Sequence, residues 1–372
     1  MRKSCWAGMI LILLFPFYSC RTSSFTPSTS ASRELPLLGD GQYVSLIRGF
    51  NAENPVATTD SIEKRWNEAV AAGMKVGRLQ IDWPEMEPEA GSYDKNALSE
   101  PLAELEQEQL RPFLLISAYD SEGPVLPEDL EGKALNDEEV LDRFKKLMDW
   151  VIPMLTESNG WVIAISNEPD VNLPEERGLK EEVLTFLEVM RDYIHQLKPE
   201  MAVTVTMNEG SLKSAVNGVQ EIAEVSDVIC FNYYGGDYRG MAYEDIKSSI
   251  RIDIENMLAL DEGKQLIIQE LGMPSGDQLA NSSDEIQQLF YRAFFETMEE
   301  YPKLRAAVIF QLVDWSPGVI EWISELLREE NTAEEFILQY EEILGTIGLI
   351  RYEDGTSRPA WEEVLQWIEK IE

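Results

Sequence analysis

Two glutamates stand where short apolar runs of the sequence end. Glu168 follows the run 161–166 through Asn167, and Glu270 follows the run 265–269. Two carboxyl groups in different surroundings can divide their roles, because one keeps a proton near neutral pH while the other stays ionised. Placed on either side of a glycosidic bond, such a pair can protonate the leaving oxygen and attack the sugar carbon. The sequence therefore predicts a two-carboxylate site.

Other apolar runs also lead into polar or aromatic side chains. These side chains are Arg78, Trp83, Asn208, Glu209, Asn232, Tyr233, Tyr234, Asp314 and Trp315. Their shared position indicates that one end of the predicted strands is unusually polar. Function in parallel α/β folds gathers at one end of the strands, so we expect the site there.

Eight short apolar runs alternate with longer segments in which apolar residues recur every three or four positions. The runs are typical of buried strands and the longer segments of helices. The predicted strands are 44–50, 75–81, 112–118, 161–166, 202–207, 227–232, 265–269 and 306–313, and the predicted helices include 61–72, 138–155, 180–197, 243–260 and 285–300. Continuous apolar strands joined by helices favour a parallel sheet that is covered on both faces.

Eight strand–helix units predict an α/β fold of the (β/α)8 TIM-barrel type, with residues 41–372 as a single domain. A doubly wound open sheet would more often carry a Gly-rich turn after its first strand, which this sequence lacks. The carboxyl ends of barrel strands meet at one face of the barrel. We therefore expect Glu168 and Glu270, from the fourth and seventh strands, to face one cavity.

The N-terminal region carries the marks of an export signal. Arg2 and Lys3 precede an apolar stretch over 9–17, and Ser19 stands directly before Cys20. This order resembles a bacterial lipoprotein signal over residues 1–19, with Cys20 as the acylated N-terminus; plain secretion is the alternative. The segment 20–40 is rich in Ser and Thr and is expected to be a flexible tether. The expected location is the bacterial cell envelope, either periplasmic or at the cell surface.

The charge balance excludes some classes of partner. The chain has 31 Lys and Arg residues against 68 Asp and Glu residues, a formal net charge of −37. Such a surface repels phosphate backbones and anionic lipid headgroups, so we expect no nucleic-acid binding and membrane attachment only through the lipid anchor. Adaptation to salt is one hypothesis for this charge. We also expect a monomer.

The few cysteines and the single histidine limit the chemistry further. Cys5 lies in the signal and Cys230 in an apolar run, where it is expected to be buried. His195 falls within a predicted helix and is expected at the surface. No spacing of these residues suits a transition metal, although a structural Ca²⁺ stays open. We predict no cofactor and no metal site.

Several motifs, in order along the chain, resemble those of a clan of retaining (β/α)8 glycoside hydrolases that includes family 5 cellulases and mannanases and family 2 β-glycosidases. The segments 161–169 and 266–272 resemble the strand-four and strand-seven signatures of that clan. The resemblance implies that Glu168 is the acid/base and Glu270 the nucleophile. The segment 227–234 is similar to strand six of family 2 enzymes, which implies that Tyr234 contacts the nucleophile.

Further residues are predicted to assist these two glutamates or to bind the sugar. Arg78 and Tyr234 would favour the charged form of Glu270. Asn167 can hydrogen-bond the sugar 2-hydroxyl group, an interaction that strengthens in the transition state. Asn232 is assigned to substrate binding on the same resemblance.

Aromatic side chains are predicted to give flat platforms for the sugar. Trp83 and Trp315 are the candidates from the sequence alone. The resemblance instead aligns the clan's strand-eight tryptophan with Phe310, so this platform stays open between Phe310 and Trp315.

These observations lead to the expectation of a retaining glycoside hydrolase that cleaves β-linked bonds of an oligo- or polysaccharide by a two-glutamate double displacement. The alternative is a lipoprotein that keeps the barrel to bind carbohydrate without cleaving it. The presence of both Glu168 and Glu270 favours hydrolysis, because a binding module needs no nucleophile.

Overall fold

The computed structural model describes residues 41–371 except 50–53, 122, 172, 174–177 and 330. The predicted signal over 1–19, the acylated Cys20 and the tether over 20–40 lie outside the described residues. Within the described part of the chain, no helix has both the length and the apolar character needed to cross a membrane.

Eight strands form one sheet, and each falls on a strand that the sequence predicts. They are β1 (Tyr43–Leu46), β2 (Val76–Gln80), β3 (Arg111–Leu115), β6 (Val162–Asn167), β7 (Ala202–Asn208), β8 (Ile229–Tyr234), β9 (Leu266–Gly272) and β10 (Leu304–Ile309). Their order in the sheet is β1-β10-β9-β8-β7-β6-β3-β2. A short antiparallel hairpin of β4 (Tyr119–Asp120) and β5 (Gly123–Pro124) follows β3.

The neighbouring strands run parallel, as seen for β1 with β10, β3 with β6, and β7 with both β6 and β8. Every residue of β6 to β10 is buried. Strands that are buried on both faces carry continuous apolar runs instead of an alternating pattern. This burial explains why the strands could be recognised from the sequence.

Helices alternate with the strands. They are α1 (Val56–Ala72), α2 (Trp83–Met86), α3 (Lys95–Gln107), α4 (Glu138–Glu157), α5 (Glu181–Leu197), α6 (Ser211–Ser214), α7 (Val216–Val225), α8 (Tyr243–Leu258), α9 (Asp284–Glu300), α10 (Pro317–Glu329), α11 (Glu334–Leu344) and α12 (Pro359–Lys370). The side chains of Asp94, Asp137 and Ser283 each accept a backbone N–H at the start of α3, α4 and α9. These caps satisfy donors that a helix start leaves without a partner.

The alternation of parallel strands and helices confirms the predicted (β/α)8 barrel. The contacts within the chain divide its described residues into two compact units. The first comprises residues 78–232 with 256–267, and the second comprises residues 41–77, 233–255 and 268–371. Glu168 lies in the first unit and Glu270 in the second.

Candidate functional site

Glu168 directly follows β6 and its side chain is fully buried. Its Oε1 atom accepts hydrogen bonds from Nδ2 of Asn232 at 2.8 Å and from Nδ2 of Asn208 at 3.1 Å. Asn208 ends β7 and lies opposite Asn232 of β8 in the strand register. The parallel register of two neighbouring strands thus brings two amide groups to one oxygen of Glu168.

The backbone at Glu168 leaves the strand in an unusual conformation. Its φ angle is 50°, in the left-handed region, and its N–H donates to the carbonyl oxygen of Thr206 at 2.7 Å. The pairing of β6 with β7 shifts register between Ala164 and Asn167, immediately before this turn. A side chain in the left-handed region costs about 1–2 kcal/mol. The fold therefore holds Glu168 in a strained position at the end of β6.

Asp170 fixes the backbone of Asn208. Its Oδ2 accepts the N–H of Asn208 at 3.0 Å, and its side chain is fully buried. Burial raises the pKa of Asp170 to about 6, although hydrogen bonds from Ser211 and Asn208 act in the opposite direction. The N–H of Gly210 donates to Oδ1 of Asn208 at 2.9 Å. Both ends of the Asn208 amide are thereby engaged.

Asn167 is held by the hairpin of β4 and β5 as well as by β8. Its Oδ1 accepts a 3.4 Å hydrogen bond from Nδ2 of Asn232, and its side chain hydrogen-bonds Asp120 of the hairpin. The hydroxyl of Ser166 donates to the carbonyl oxygen of Tyr119 at 2.7 Å, which ties the hairpin to β6. Asp120 and Asn167 are both buried. The hairpin therefore positions the residue that is predicted to bind the sugar 2-hydroxyl group.

Arg78 lies on β2 with two polar neighbours in the first unit. Its Nη2 donates to Oε1 of Gln80 at 2.7 Å. Burial raises the pKa of Asp82 to about 7, the nearby Glu85 adds to this, and the charge of Arg78 opposes it. The predicted interaction of Arg78 with Glu270 stays a prediction.

Glu270 lies on β9 and is almost fully buried. The hydroxyl of Tyr234, at the end of β8, donates to its Oε2 at 2.5 Å. A Cβ atom at Gly272 would lie 2.7 Å from the ring of Tyr234, so the ring can occupy this place only beside a glycine. Tyr234 and Glu270, which the resemblance paired, are thus hydrogen-bonded.

Phe310 and Trp315 both belong to the surroundings of Glu270. The ring of Phe310 meets that of Tyr234 edge to face at 5.8 Å, and Trp315 lies 6.3 Å from Phe310 at a tilt of 42°. Phe310 directly follows β10. The structure therefore brings together the two alternatives for the strand-eight platform, with Phe310 in contact with Tyr234.

Trp83 is buried in the packing of α2 and α4, and its predicted role in sugar binding stays a prediction. Its side chain is fully buried and meets Phe144 of α4 edge to face at 4.9 Å. Its Nε1 donates to Oε2 of Glu87 at 2.8 Å, and Nε of Arg143 donates to Oε1 of the same carboxylate at 2.8 Å. The tryptophan that follows β2 is therefore part of the packing of α2 against α4.

His195 differs from its prediction. It was expected at the surface, but its side chain is only 9% exposed and its Nε2 lies 2.7 Å from Oδ2 of Asp227. The same oxygen accepts the N–H of Val203 at 2.8 Å, so the contact joins α5 to the start of β7. Cys230 is buried, as expected. Among the described residues, no group of three or more His, Cys, Asp or Glu side chains is arranged to hold a metal ion.

Three polar residues around Glu168 and Asn167 were not predicted as parts of the site: Asn208, Asp170 and Asp120. The sequence did place Asn208 at the end of the fifth strand, which was its only signal. Asp170 and Asp120 carried none, because an acidic residue in a loop is most often solvated. Their burial is what distinguishes them.

Comparison with known proteins gives structural matches only. No protein-family model matches the sequence, and no curated protein matches it. A GH5_18 protein from Bifidobacterium longum subsp. longum ATCC 55813 is 13% identical, with a TM-score of 0.65 over 89% of this chain and 79% of that chain. A GH5_18 protein from Streptomyces cattleya, in complex with GlcNAc, has the same identity and TM-score over 89% of this chain and 80% of that one.

An exo-β-1,4-mannosidase from Opitutaceae bacterium strain TAV5 is 17% identical, with a TM-score of 0.64 over 88% of this chain and 59% of that chain. A family 39 glycoside hydrolase from Bacteroides cellulosilyticus WH2 also matches, at 14% identity and a TM-score of 0.56, over 90% of this chain and 64% of that one. At these identities the likeness concerns the fold. The chain shares the (β/α)8 barrel fold of glycoside hydrolases, as the motifs of its strands indicated.

Proposed function

We propose that the protein is a retaining glycoside hydrolase that cleaves β-linked bonds of an oligo- or polysaccharide, with Glu168 as acid/base and Glu270 as nucleophile. The observation that carries the proposal is the different environment of the two buried carboxyl groups. Glu168 accepts two amide N–H groups on one oxygen, whereas Glu270 accepts the hydroxyl of Tyr234. Glu168 directly follows β6, and Glu270 lies in the carboxyl-terminal half of β9. (β/α)8 enzymes carry their chemistry at this end of the strands.

In the first step, a carboxylate oxygen of Glu270 bonds to the anomeric carbon while the glycosidic C–O bond breaks. The proton of Glu168 passes to the leaving oxygen, and a covalent glycosyl-enzyme remains. In the second step, Glu168 takes a proton from water, whose oxygen displaces Glu270 and restores the original configuration. This mechanism requires carboxyl groups about 5–5.5 Å apart. The Tyr234 hydroxyl stabilises the ionised form of Glu270 before attack and its release afterwards.

The neighbouring side chains support roles in sugar binding. Asn167, which Asp120 and Asn232 hold in place, is suited to bind the 2-hydroxyl group. Phe310 and Trp315 offer aromatic faces near Tyr234 for the C–H faces of the sugar.

The structural matches suggest which sugars to test first. One match is an exo-β-1,4-mannosidase, and another GH5_18 structure from Bifidobacterium longum holds Manβ1-4GlcNAc. Aryl β-mannosides and Manβ1-4GlcNAc are therefore the first substrates for a screen that also includes β-glucosides and polysaccharides. We further propose that a lipid on Cys20 anchors the protein to the cell envelope; metabolic labelling with palmitate is the check.

The test of the proposed function uses Glu270→Ala and Glu168→Ala. Glu270→Ala is expected to lower kcat by about 10⁴-fold or more, as removal of a nucleophile does. Glu168→Ala is expected to lose activity mainly on substrates with poor leaving groups. Azide should restore part of its turnover. A 2-fluoro aryl glycoside should label the parent once, on the peptide that contains Glu270, which mass spectrometry identifies.

Glu363→Gln is a matched control, because Glu363 is also a buried carboxylate but forms an ion pair with Arg292. It is expected to keep turnover and labelling. Labelling at another residue, or full activity of both alanine variants, would overturn the assignment. Binding of oligosaccharides without turnover or labelling in the parent would favour the non-catalytic alternative.

A further inference from the structure

One oxygen of Glu168 is already occupied by the protein. Oε1 accepts N–H groups from Asn232 and Asn208, at 2.8 and 3.1 Å. A proton on Oε1 would compete with the N–H groups of the two amides for the same oxygen, because an amide NH₂ group donates and cannot accept a hydrogen bond. In the protonated form of Glu168, the proton therefore belongs on Oε2.

The amide of Asn208 is held in the orientation that makes this possible. Gly210 donates its N–H to Oδ1 of Asn208 at 2.9 Å, so Nδ2 is the end that faces Glu168. Turning the amide over would break this bond and set Oδ1 against a carboxylate oxygen. Asp170 adds a second constraint, because its Oδ2 holds the backbone N–H of Asn208 at 3.0 Å.

Asn208 and Asn232 differ in their side-chain contacts besides Glu168. Nδ2 of Asn232 is shared between Glu168 and Asn167, so Asn232 serves the sugar-binding residue as well. The side-chain contacts described for Asn208 are with Glu168 and with the backbone of Gly210. A change at Asn208 removes one of the two amide donors to Glu168 and leaves the contact between Asn232 and Asn167 in place.

We propose that Asn208, held in place by Asp170, is a positioning residue that binds Oε1 of Glu168 and leaves Oε2 to carry the proton to the leaving group. This inference rests on the proposed function, in which Glu168 is the acid/base. Without Asn208, Asn232 alone holds Oε1, and the carboxyl group is less restricted in its rotation about its last bond. In a smaller fraction of the enzyme molecules, Oε2 then points its proton at the glycosidic oxygen.

The first test measures kcat/KM of Asn208→Ala with leaving groups of different quality. With a phenyl glycoside kcat/KM is expected to fall about 10- to 100-fold, a part of what a general acid contributes. With a dinitrophenyl glycoside it should change less than about 3-fold, because this leaving group departs without a proton. The basic limb of the pH profile should move to higher pH, because the charged form of Glu168 loses a donor.

Two aspartates give a matched comparison for a purely structural role. Asp170 and Asp227 are both buried, and each accepts a backbone N–H of β7, from Asn208 at one end and from Val203 at the other. Asp170→Asn and Asp227→Asn should both lower Tm. Only Asp170→Asn should steepen the dependence on leaving group, in the same direction as Asn208→Ala. Equal effects of the two variants would overturn the positioning role.

A second measurement needs no turnover and separates this inference from the proposed function. Carbon NMR of protein labelled in glutamate carboxyl groups reports the titration of Glu168, assigned by its absence in Glu168→Gln. The midpoint should rise in Asn208→Ala, and rise further in Asn208→Asp, which keeps the shape of the side chain and replaces the donor by a like charge. Asn208→Asp also serves if the alanine variant does not fold.

The outcomes are distinct. If the parent hydrolyses no glycoside, the proposed function fails, and a rise of the Glu168 midpoint still supports control by Asn208. If the parent is active but neither variant changes the leaving-group dependence or the midpoint, the inference fails and the proposed function stands.

Discussion

At the scale of single residues, Asp120 shows how burial changes a carboxyl group. Burial raises its pKa to about 8, hydrogen bonds from Ser121 and Asn167 oppose this, and the nearby Asp82 adds to it. In an unfolded chain the pKa of an aspartate is about 4. Between these two pH values the folded protein holds a proton that the unfolded chain has lost. The free energy of unfolding therefore falls as pH rises from about 4 to about 8.

Asp120→Asn should remove the part of this dependence that belongs to Asp120, while Asp82 and Asp170, whose pKa values burial also raises, keep their own contributions. Urea unfolding of the parent at pH 5 and pH 8 is expected to show a loss on the order of a few kcal/mol, and the variant a smaller loss. Asp60→Asn is the control, since Asp60 is exposed on α1 and its removal should leave the slope unchanged. A slope in Asp120→Asn equal to that of the parent would show that Asp120 does not titrate in this range.

At the scale of elements, Trp83 joins α2 to α4 through its ring and its N–H group. Trp83→Phe keeps most of the ring but takes a donor from the buried carboxylate of Glu87. We expect the free energy of unfolding to fall by about 1–3 kcal/mol, with KM for the best substrate unchanged. Urea unfolding and steady-state kinetics measure the two effects.

Trp150→Phe on α4 is the comparison, because the ring of Trp150 stacks on Tyr93 at 5.2 Å and is only partly buried. It should change stability less than Trp83→Phe does. A higher KM with unchanged stability in Trp83→Phe would instead support the predicted role of Trp83 in sugar binding.

The elements themselves could be predicted because their burial leaves a continuous mark on the sequence. Strands β6 and β9 are apolar until their carboxyl ends, where Asn167, Glu168 and Glu270 break the pattern. Active sites of (β/α)8 barrels are built at the carboxyl ends of the strands, so the breaks in the apolar pattern mark where to look for a site. Fold and strand-end positions thus followed from local sequence.

The side-chain contacts could not be predicted in the same way. A tryptophan after a strand has the same sequence signal whether it meets a sugar or a helix, and the contact of Trp83 with Phe144 of α4 is seen only in the folded chain. The role of Asn208 depends on angles and distances at Glu168, which neighbouring strands set only after folding. Amide side chains have many uses at protein surfaces, so their type alone carries little information.

At the scale of the whole molecule, the excess of acidic residues is the dominant electrostatic feature. The chain has 68 acidic and 31 basic residues, and exposed pairs such as Arg251 with Glu300 contribute little stability. Mutual repulsion of the remaining charges destabilises the compact state, and salt screens it.

We therefore expect Tm to rise by several degrees, roughly 5 °C, between 0.05 and 1 M KCl at neutral pH, as repulsion over a Debye length disappears. Differential scanning calorimetry measures this change. Sucrose at equal osmolality controls for effects of solute exclusion that do not depend on charge. A Tm that stays constant or falls with KCl would exclude salt adaptation as the reason for the charge.

The left-handed backbone at Glu168 places a cost in folding stability at a residue that the proposed reaction needs. Glycine adopts this conformation without penalty, whereas glutamate does not. Removing the side chain relieves this cost but takes an acceptor from the buried amides of Asn208 and Asn232. A laboratory selection that ranks descendants by thermal survival alone therefore does not test for the side chain that the proposed reaction needs. Directed evolution of a more thermostable variant therefore requires a second assay, for product formation, in every round of selection.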